Sequence, residues 1–244
     1  MVKERPILFN GEMVRAVLDG RKTQTRRVMK PQPEPMPSDL PRSKHDSGWW
    51  WSCSRVQSMV DAIREAPQFS PYGYGKREGW TKDRLYCRET WATELRYEHV
   101  KPSDLPRDAK IWYAADGRDK APDQGRWRPS IHIPRWMSRI TLEVLDVRVE
   151  RVQEISEADA KSEGTRSDME EIEEHDWSLC PKCGGTLLYD DCGPCFGVVF
   201  DNDCHECDTY KKRFMHLWNS INAKRGFGWD VNPWVWVVET EVVR

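Results

Sequence analysis

The chain has 244 residues, with 38 basic side chains against 40 acidic ones, so its bulk charge selects neither nucleic acid nor an anionic membrane as partner. No stretch approaches the roughly 20 apolar residues that span a bilayer, and the opening MVKERPILFNGE lacks the apolar core of a secretion signal, which together predict a cytoplasmic protein with no membrane partner. In a reducing compartment, 8 cysteines argue for metal ligation before disulfides.

RPILFN followed by GEMVRAVLDG predicts a short strand and then a helix. Asn10 is placed as its N-cap, Met13, Val14, Val17 and Leu18 recur at helical spacing, and Gly20 suits the left-handed position beyond its end. The helix delivers the chain into GRKTQTRR, Gly20 to Arg27, a cluster of cations around two threonines. A helix C-terminus favours cations through its dipole, so this cluster has a structural explanation as well as a functional one. Residues 31–79, rich in Pro, Ser and charge, read as a long insertion or lid, with VQSMVDAIREA as one helix inside it. The adjacent tryptophans Trp49, Trp50 and Trp51 suit either a packed anchor or a stacking platform for bases.

Regular structure returns at DRLYCRETWA, where Leu85 and Cys87 alternate with Arg84, Tyr86 and Arg88, and again at KIWYAAD. The run SRITLEVLDVRVERVQEI predicts two strands joined near Leu145 and Asp146. SEADAKSEG follows as a short helix capped by Ser156 and containing Glu163. Residues 165–208 interrupt the pattern with acid and cysteine, after which TYKKRFMHLWNSINAKRG predicts a helix with Lys211, Lys212 and Arg213 on a solvated face. NPWVWVVETEVV closes the chain as a strand carrying Trp234, Trp236 and Val238 on one side. The order describes one α+β domain over residues 1–244, built on a small mixed β-barrel with flanking helices and decorated by the two insertions.

The second insertion holds three pairs, Cys180 with Cys183, Cys192 with Cys195, and Cys204 with Cys207. Each CxxC offers two thiolates on one knuckle, and two knuckles complete the tetrahedral set that zinc takes. Residues 184–203 separate the outer pairs, a zinc-ribbon-like spacing, so Cys180, Cys183, Cys204 and Cys207 are the expected ligands of a structural zinc. Cys192 and Cys195 are alternative ligands, or part of a second site completed by His175 or His205. CGPC also has the redox tetrapeptide but lacks the strand and helix context that such a motif needs.

The pattern G-x-K-x-x-T-x-R, met by Gly20, Lys22, Thr25 and Arg27, resembles the signature of the ASCH family. The resemblance extends to LYCRETWA, to WRPSIHIPRWMSRITLEVLDVRVERVQEISEADAKSEG and to FMHLWNSINAKRGFGWDVNPWVWVVETEVV, and is greatest toward members found in bacteriophages and prophages. It implies a PUA-like barrel, a fold whose members generally bind RNA or modified bases, working in a bacterial host cytoplasm. Small ASCH enzymes hydrolyse N4-acetylcytidine with a Lys, a Thr and a Glu, which match Lys22, Thr25 and Glu163, with Glu157 the rival for the third place; other members are described as ribonucleases. The residues are chemically sufficient for amide hydrolysis, since Thr25 supplies an oxygen nucleophile and like charge plus desolvation would make Lys22 a base.

Around these, Gly20, Arg21, Arg26 and Arg27 are candidate contacts to RNA or a modified nucleoside, joined by Arg88, a strand or pocket residue of YCRETWA, and by His132 and Arg135, which precede a predicted strand where the barrel mouth would lie. Trp91 beside Arg88 reads as core. Three readings follow: recognition of RNA or a nucleobase, a hydrolase on the same pocket, and a zinc-stapled module that contacts another protein.

Overall fold

The computed structural model describes residues 2–36, 47–53, 58–72, 83–117, 121–165, 180, 188–190, 201–203 and 206–243. The chain begins with β1 (Glu4–Leu8), then α1 (Gly11–Leu18), whose N-cap Asn10 accepts the amide of Met13 at 2.8 Å, and β2 (Gln24–Val28). Within residues 31–79 lie β3 (Glu34–Pro35), β4 (Trp49–Cys53) and β5 (Ser58–Asp61). Next come β6 (Arg84–Arg88), β7 (Trp91–Thr93), β8 (Ile111–Tyr113), the long β9 (Thr141–Arg151) and α2 (Glu157–Ser162). The cysteine segment contributes an antiparallel pair, β10 (Leu188–Asp190) and β11 (Asp201–Asp203), before α3 (Tyr210–Asn222) and β12 (Trp234–Val242).

The central sheet runs β1-β6-β9-β12-β2, with β1 parallel to β6 and the other neighbours antiparallel. Among the described residues it is an open five-stranded sheet and not a closed barrel, with β1 and β2 as its edges. The α+β class and the order of elements agree with the sequence reading; barrel closure does not. Nor does any helix among the described residues have the length and apolarity to cross a membrane.

Two predicted elements change. Thr141–Arg151 is one strand, because the pairing to β12 steps from Asp146 opposite Glu239 to Val144 opposite Thr240, leaving Leu145 as a bulge. That extra residue inverts the side-chain phase: Leu142 and Val144 are buried before it, Val147 and Val149 after it. In VQSMVDAIREA, residues 58–61 form a strand instead of a helix. The Asp61 carboxylate accepts the amides of Ser47, Ile63 and Arg64 at 2.8–3.0 Å, closing a turn that competes with helical bonding. Burial alone would raise its pKa, but those amides hold it below the ordinary 3.8.

The core is gathered on β12. Trp234 and Trp236 point to one side and meet Trp49 and Trp51 of β4, the ring centroids 5.4 Å and 5.2 Å apart in edge-to-face pairs. The Arg151 guanidinium lies over both Trp49 and Trp234, at 4.5 Å and 4.4 Å. The tryptophan run therefore anchors the first insertion to the sheet, and Trp91 is fully buried in a satellite cluster with Leu105, Ile133 and Met137.

Cys87 sits in β6 with no exposed surface. Burial, helped by Glu89 and opposed by Arg27 and Lys22, pushes its thiol up to about 12. It should stay unmodified by iodoacetamide at mildly alkaline pH in the folded protein and react once denatured, as read by mass spectrometry of its peptide; rapid native labelling would contradict this burial.

Candidate functional site

GRKTQTRR leaves α1 through Gly20, whose φ of +75° is the left-handed value expected at a helix end. The amides of Arg21 and Lys22 both donate to the Ala16 carbonyl at 2.9 Å, turning the chain so that Gln24 enters the edge strand β2. Thr25, Arg26 and Arg27 pair there with Val238, Val237 and Trp236 of β12. On the other side, Lys22 forms an antiparallel bridge with Glu163, the residue that ends α2. The close approach requires Gly164: at its φ of +88°, a Cβ would lie 2.9 Å from the Ala16 Cβ and 3.0 Å from the Lys22 Cβ.

These turns put the Lys22 ammonium under the sheet edge, 4 % exposed. Its Nζ donates to the Gln24 carbonyl, the Glu163 carbonyl and Glu163 Oε2, each at 2.8 Å, so three protons meet three acceptors. Burial is the largest influence on Lys22 and lowers its pKa from 10.5; Glu163 opposes the shift, while Arg27 and Arg26 add to it. The other carboxylate oxygen of Glu163 accepts Arg26 Nη1 at 3.2 Å. Arg26 also reaches Glu150, at 3.0 Å from Nε, and Asp159, at 3.4 Å, while Arg148 ties Glu150, Asp159 and Glu239 together from outside. The result is a continuous ionic floor in which each buried cation has at least one carboxylate.

Above that floor opens a cavity of about 230 Å³. Thr25, Arg26 and Glu163 form its base, while Phe214, Trp218 and Asn222 of α3 form one wall. Phe227 and Tyr72 supply further rings, and Arg27, Lys30 and Arg225 stand at its edge. Burial raises the Tyr72 phenol above its ordinary 10.0 against the pull of Arg27. Arg27 itself donates to the Leu8 carbonyl at 2.8 Å and lies 5.6 Å from the Phe9 ring centroid. No family model, curated protein or solved structure matches the chain.

The expected trio is thus only partly assembled. Lys22 and Glu163 are bonded, and Glu163 shares the cavity with Thr25, but Lys22 borders a different hollow of about 270 Å³, beside Gly20, Thr23 and Thr240. The rival Glu157 is exposed, with its carboxylate at the N-terminus of α3, 3.3 Å from the Lys211 amide. Arg21 is spent on Asp19 and the Gly164 carbonyl.

Arg88, His132 and Arg135 do not line the cavity. Arg88 bonds the Ile131 carbonyl and the Tyr86 hydroxyl, Arg135 pairs with Glu4 at 2.7 Å, and His132 is exposed on a turn. Arg213 also departs from its expected solvated face: it is buried, its Nε donating to the Cys207 carbonyl at 2.8 Å. The sequence reading missed Tyr72, Lys30, Asn222 and Phe227. The apolar stripe of α3 announces its wall residues Phe214 and Trp218, reading equally well as core, but carries no signal for these four.

Of the expected zinc ligands, Cys180 and Cys207 are buried. Cys183, Cys192, Cys195 and Cys204, with His175 and His205, lie outside the described residues.

Proposed function

We propose that the protein recognises a nucleobase, free or within RNA, in the cavity between β2 and α3, as an ASCH-type domain of PUA-like descent would. The observation that carries this reading is the cavity's lining: hydrogen-bonding groups at the base (Thr25, Glu163), an amide on the wall (Asn222) and aromatic rings around them. Its volume of about 230 Å³ lies just below the span of about 300–1,000 Å³ usual for small-molecule pockets, which suits a ligand group as small as a single base. Rings offer stacking to any base, and the polar groups select its edge.

Hydrolysis is the second reading, favoured by Glu163 at the end of α2 sharing the cavity with Thr25 of β2. In it the Thr25 hydroxyl attacks the acyl carbon of an N4-acylated cytidine, Glu163 takes the hydroxyl proton and passes it to the departing exocyclic amine, and water then releases the acid from Thr25. Recognition is preferred because the Lys22 protons are all donated to fixed acceptors and none of those acceptors is Thr25.

A zinc ion would be held by Cys180, Cys183, Cys204 and Cys207, and the burial of Cys180 and Cys207 suits the closed thiolate set of a structural site. Bound there, it would cross-link the segment that leads into α3, and no step of recognition runs through it.

The test is calorimetric titration with nucleosides and short RNA, beside a mass-spectrometric time course with N4-acetylcytidine. Thr25→Val keeps the side-chain shape and should weaken binding by about tenfold, the worth of one hydrogen bond, without lowering the melting temperature. Unchanged affinity in that variant would remove the cavity base from the recognition site. Release of cytidine and acetate by the native protein would instead establish the hydrolytic reading.

A further inference from the structure

Four cations line the cavity, and they divide sharply by their partners. Arg26 has a fully shielded side chain and is neutralised by Glu150, Asp159 and Glu163. Arg27, Lys30 and Arg225 have no carboxylate partner among the described residues. Arg27 rests on a carbonyl and the Phe9 ring, the Lys30 Nζ lies 5.3 Å from the Phe227 ring centroid, and Arg225 is exposed on the turn Ala223–Arg225. The one carboxylate in the lining, Glu163, is already bound to Lys22 and Arg26.

Arg88, Arg128 and Arg151, away from the cavity, also lack a carboxylate partner among the described residues, but each of them is held by backbone carbonyls or rings, and several other cations are paired. Arg5, Arg15, Arg21, Arg135 and Arg139 each stand against an aspartate or glutamate. A helix end alone would explain Arg225, since the C-terminus of α3 favours a positive charge. It does not explain why cations from two other places, β2 and the residue following Met29, line the same cavity. Three segments converge to leave about three positive charges without a carboxylate partner among the described residues, beside a hollow whose base already pairs its own charges.

We propose, on the basis of the recognition reading above, that the ligand of this cavity carries a phosphate, with the base toward Thr25 and Glu163 and the phosphate held by Arg27, Lys30 and Arg225. Guanidinium and ammonium donors at the edge of a hollow with rings in its wall are suited to a nucleotide, and a neutral nucleoside would leave them without a counter-charge. The phosphate comes either from a free mononucleotide or from an RNA strand whose terminal or flipped base enters the hollow.

The experiment compares the four ribonucleosides, their 5′-monophosphates and a mixed-sequence RNA hexamer by calorimetric titration of the full chain. The same ligands are then titrated into the Lys30→Ala/Arg225→Ala double variant, whose fold is checked by thermal melting. The expected result is that the preferred monophosphate binds about tenfold to a hundredfold tighter than its nucleoside, and that this preference collapses in the double variant. A hexamer that binds tighter still, with affinity falling steeply as salt rises, identifies a strand as the source; equal binding of hexamer and monophosphate identifies the free nucleotide. Nucleosides and monophosphates binding equally would overturn the phosphate assignment while leaving base recognition standing. A preference that survives in the double variant would also overturn it, by placing the phosphate elsewhere. Absence of binding by every ligand would overturn the recognition reading together with this one.

Discussion

Replacing Lys22 with methionine is expected to lower the melting temperature by about 6–12 °C, from a loss of about 3 kcal/mol and the usual scaling for a chain of this size. The side chain is buried, so methionine matches its volume, and the cost arises from what is left behind. Glu163 keeps only the 3.2 Å bond from Arg26, and the carbonyls of Gln24 and Glu163 lose their donor. The loss stays near the low end of the range for a broken buried pair because Arg26 still offsets the Glu163 charge. Replacing both Lys22 and Glu163 with methionine should recover part of the stability, since neither charge is then desolvated. Equal melting temperatures for the native protein and Lys22→Met would show that Arg26 carries Glu163 alone.

The lowered pKa of Lys22 adds a pH signature. The folded state binds this proton less tightly than the unfolded chain, so the Lys22 contribution to stability rises as pH climbs from its folded pKa toward 10.5 and is flat below that window. The difference in stability between native protein and Lys22→Met isolates that slope from other alkaline titrations.

Trp51→Ala should cost about 3–5 kcal/mol, or about 6–20 °C in melting temperature. The ring is 7 % exposed, packs edge-to-face on Trp236 and donates its Nε1 proton to the Pro31 carbonyl at 3.0 Å. Removing it hollows the contact between β4 and β12 and frees the donor's partner in the same step. Trp50, between the two packed rings, alternates to the other side of β4, so Trp50→Ala is the internal control and should cost far less. A similar loss from both variants would mean that the strand as a whole, and not the Trp51 contact, holds the insertion to the sheet.

Local rules carried the elements whose causes lie within a few residues. Asn10 and Ser156 cap α1 and α2 as their positions predict, and the alternation around Leu85 and Cys87 defines the buried face of β6. β12 appears where NPWVWVVETEVV places it. Each of these depends on caps, periodicity and β-branched runs, which act over one or two turns of chain. The same locality explains the errors. Nothing in SRITLEVLDVRVERVQEI distinguishes a break from a bulge, because the bulge exists only through pairing with Glu239 and Thr240. Nothing in VQSMVDAIREA announces that Asp61 will accept the amide of Ser47.

The sequence by itself therefore determined the α+β order, the capped helices, the closing strand β12 and the position of the basic turn at the end of α1. Only the tertiary structure decided which groups that turn meets. Lys22 and Glu163 are 141 residues apart and meet because α2 returns beside β2, with Gly164 allowing the approach. The same packing gives Thr25 and Lys22 to different hollows, ties Arg135 to Glu4 away from the cavity, and brings Lys30 and Arg225 to its edge with no carboxylate partner among the described residues. Charge and hydrogen-bonding capacity are properties of the residue, but whether a charge is answered depends on neighbours that only the folded chain supplies.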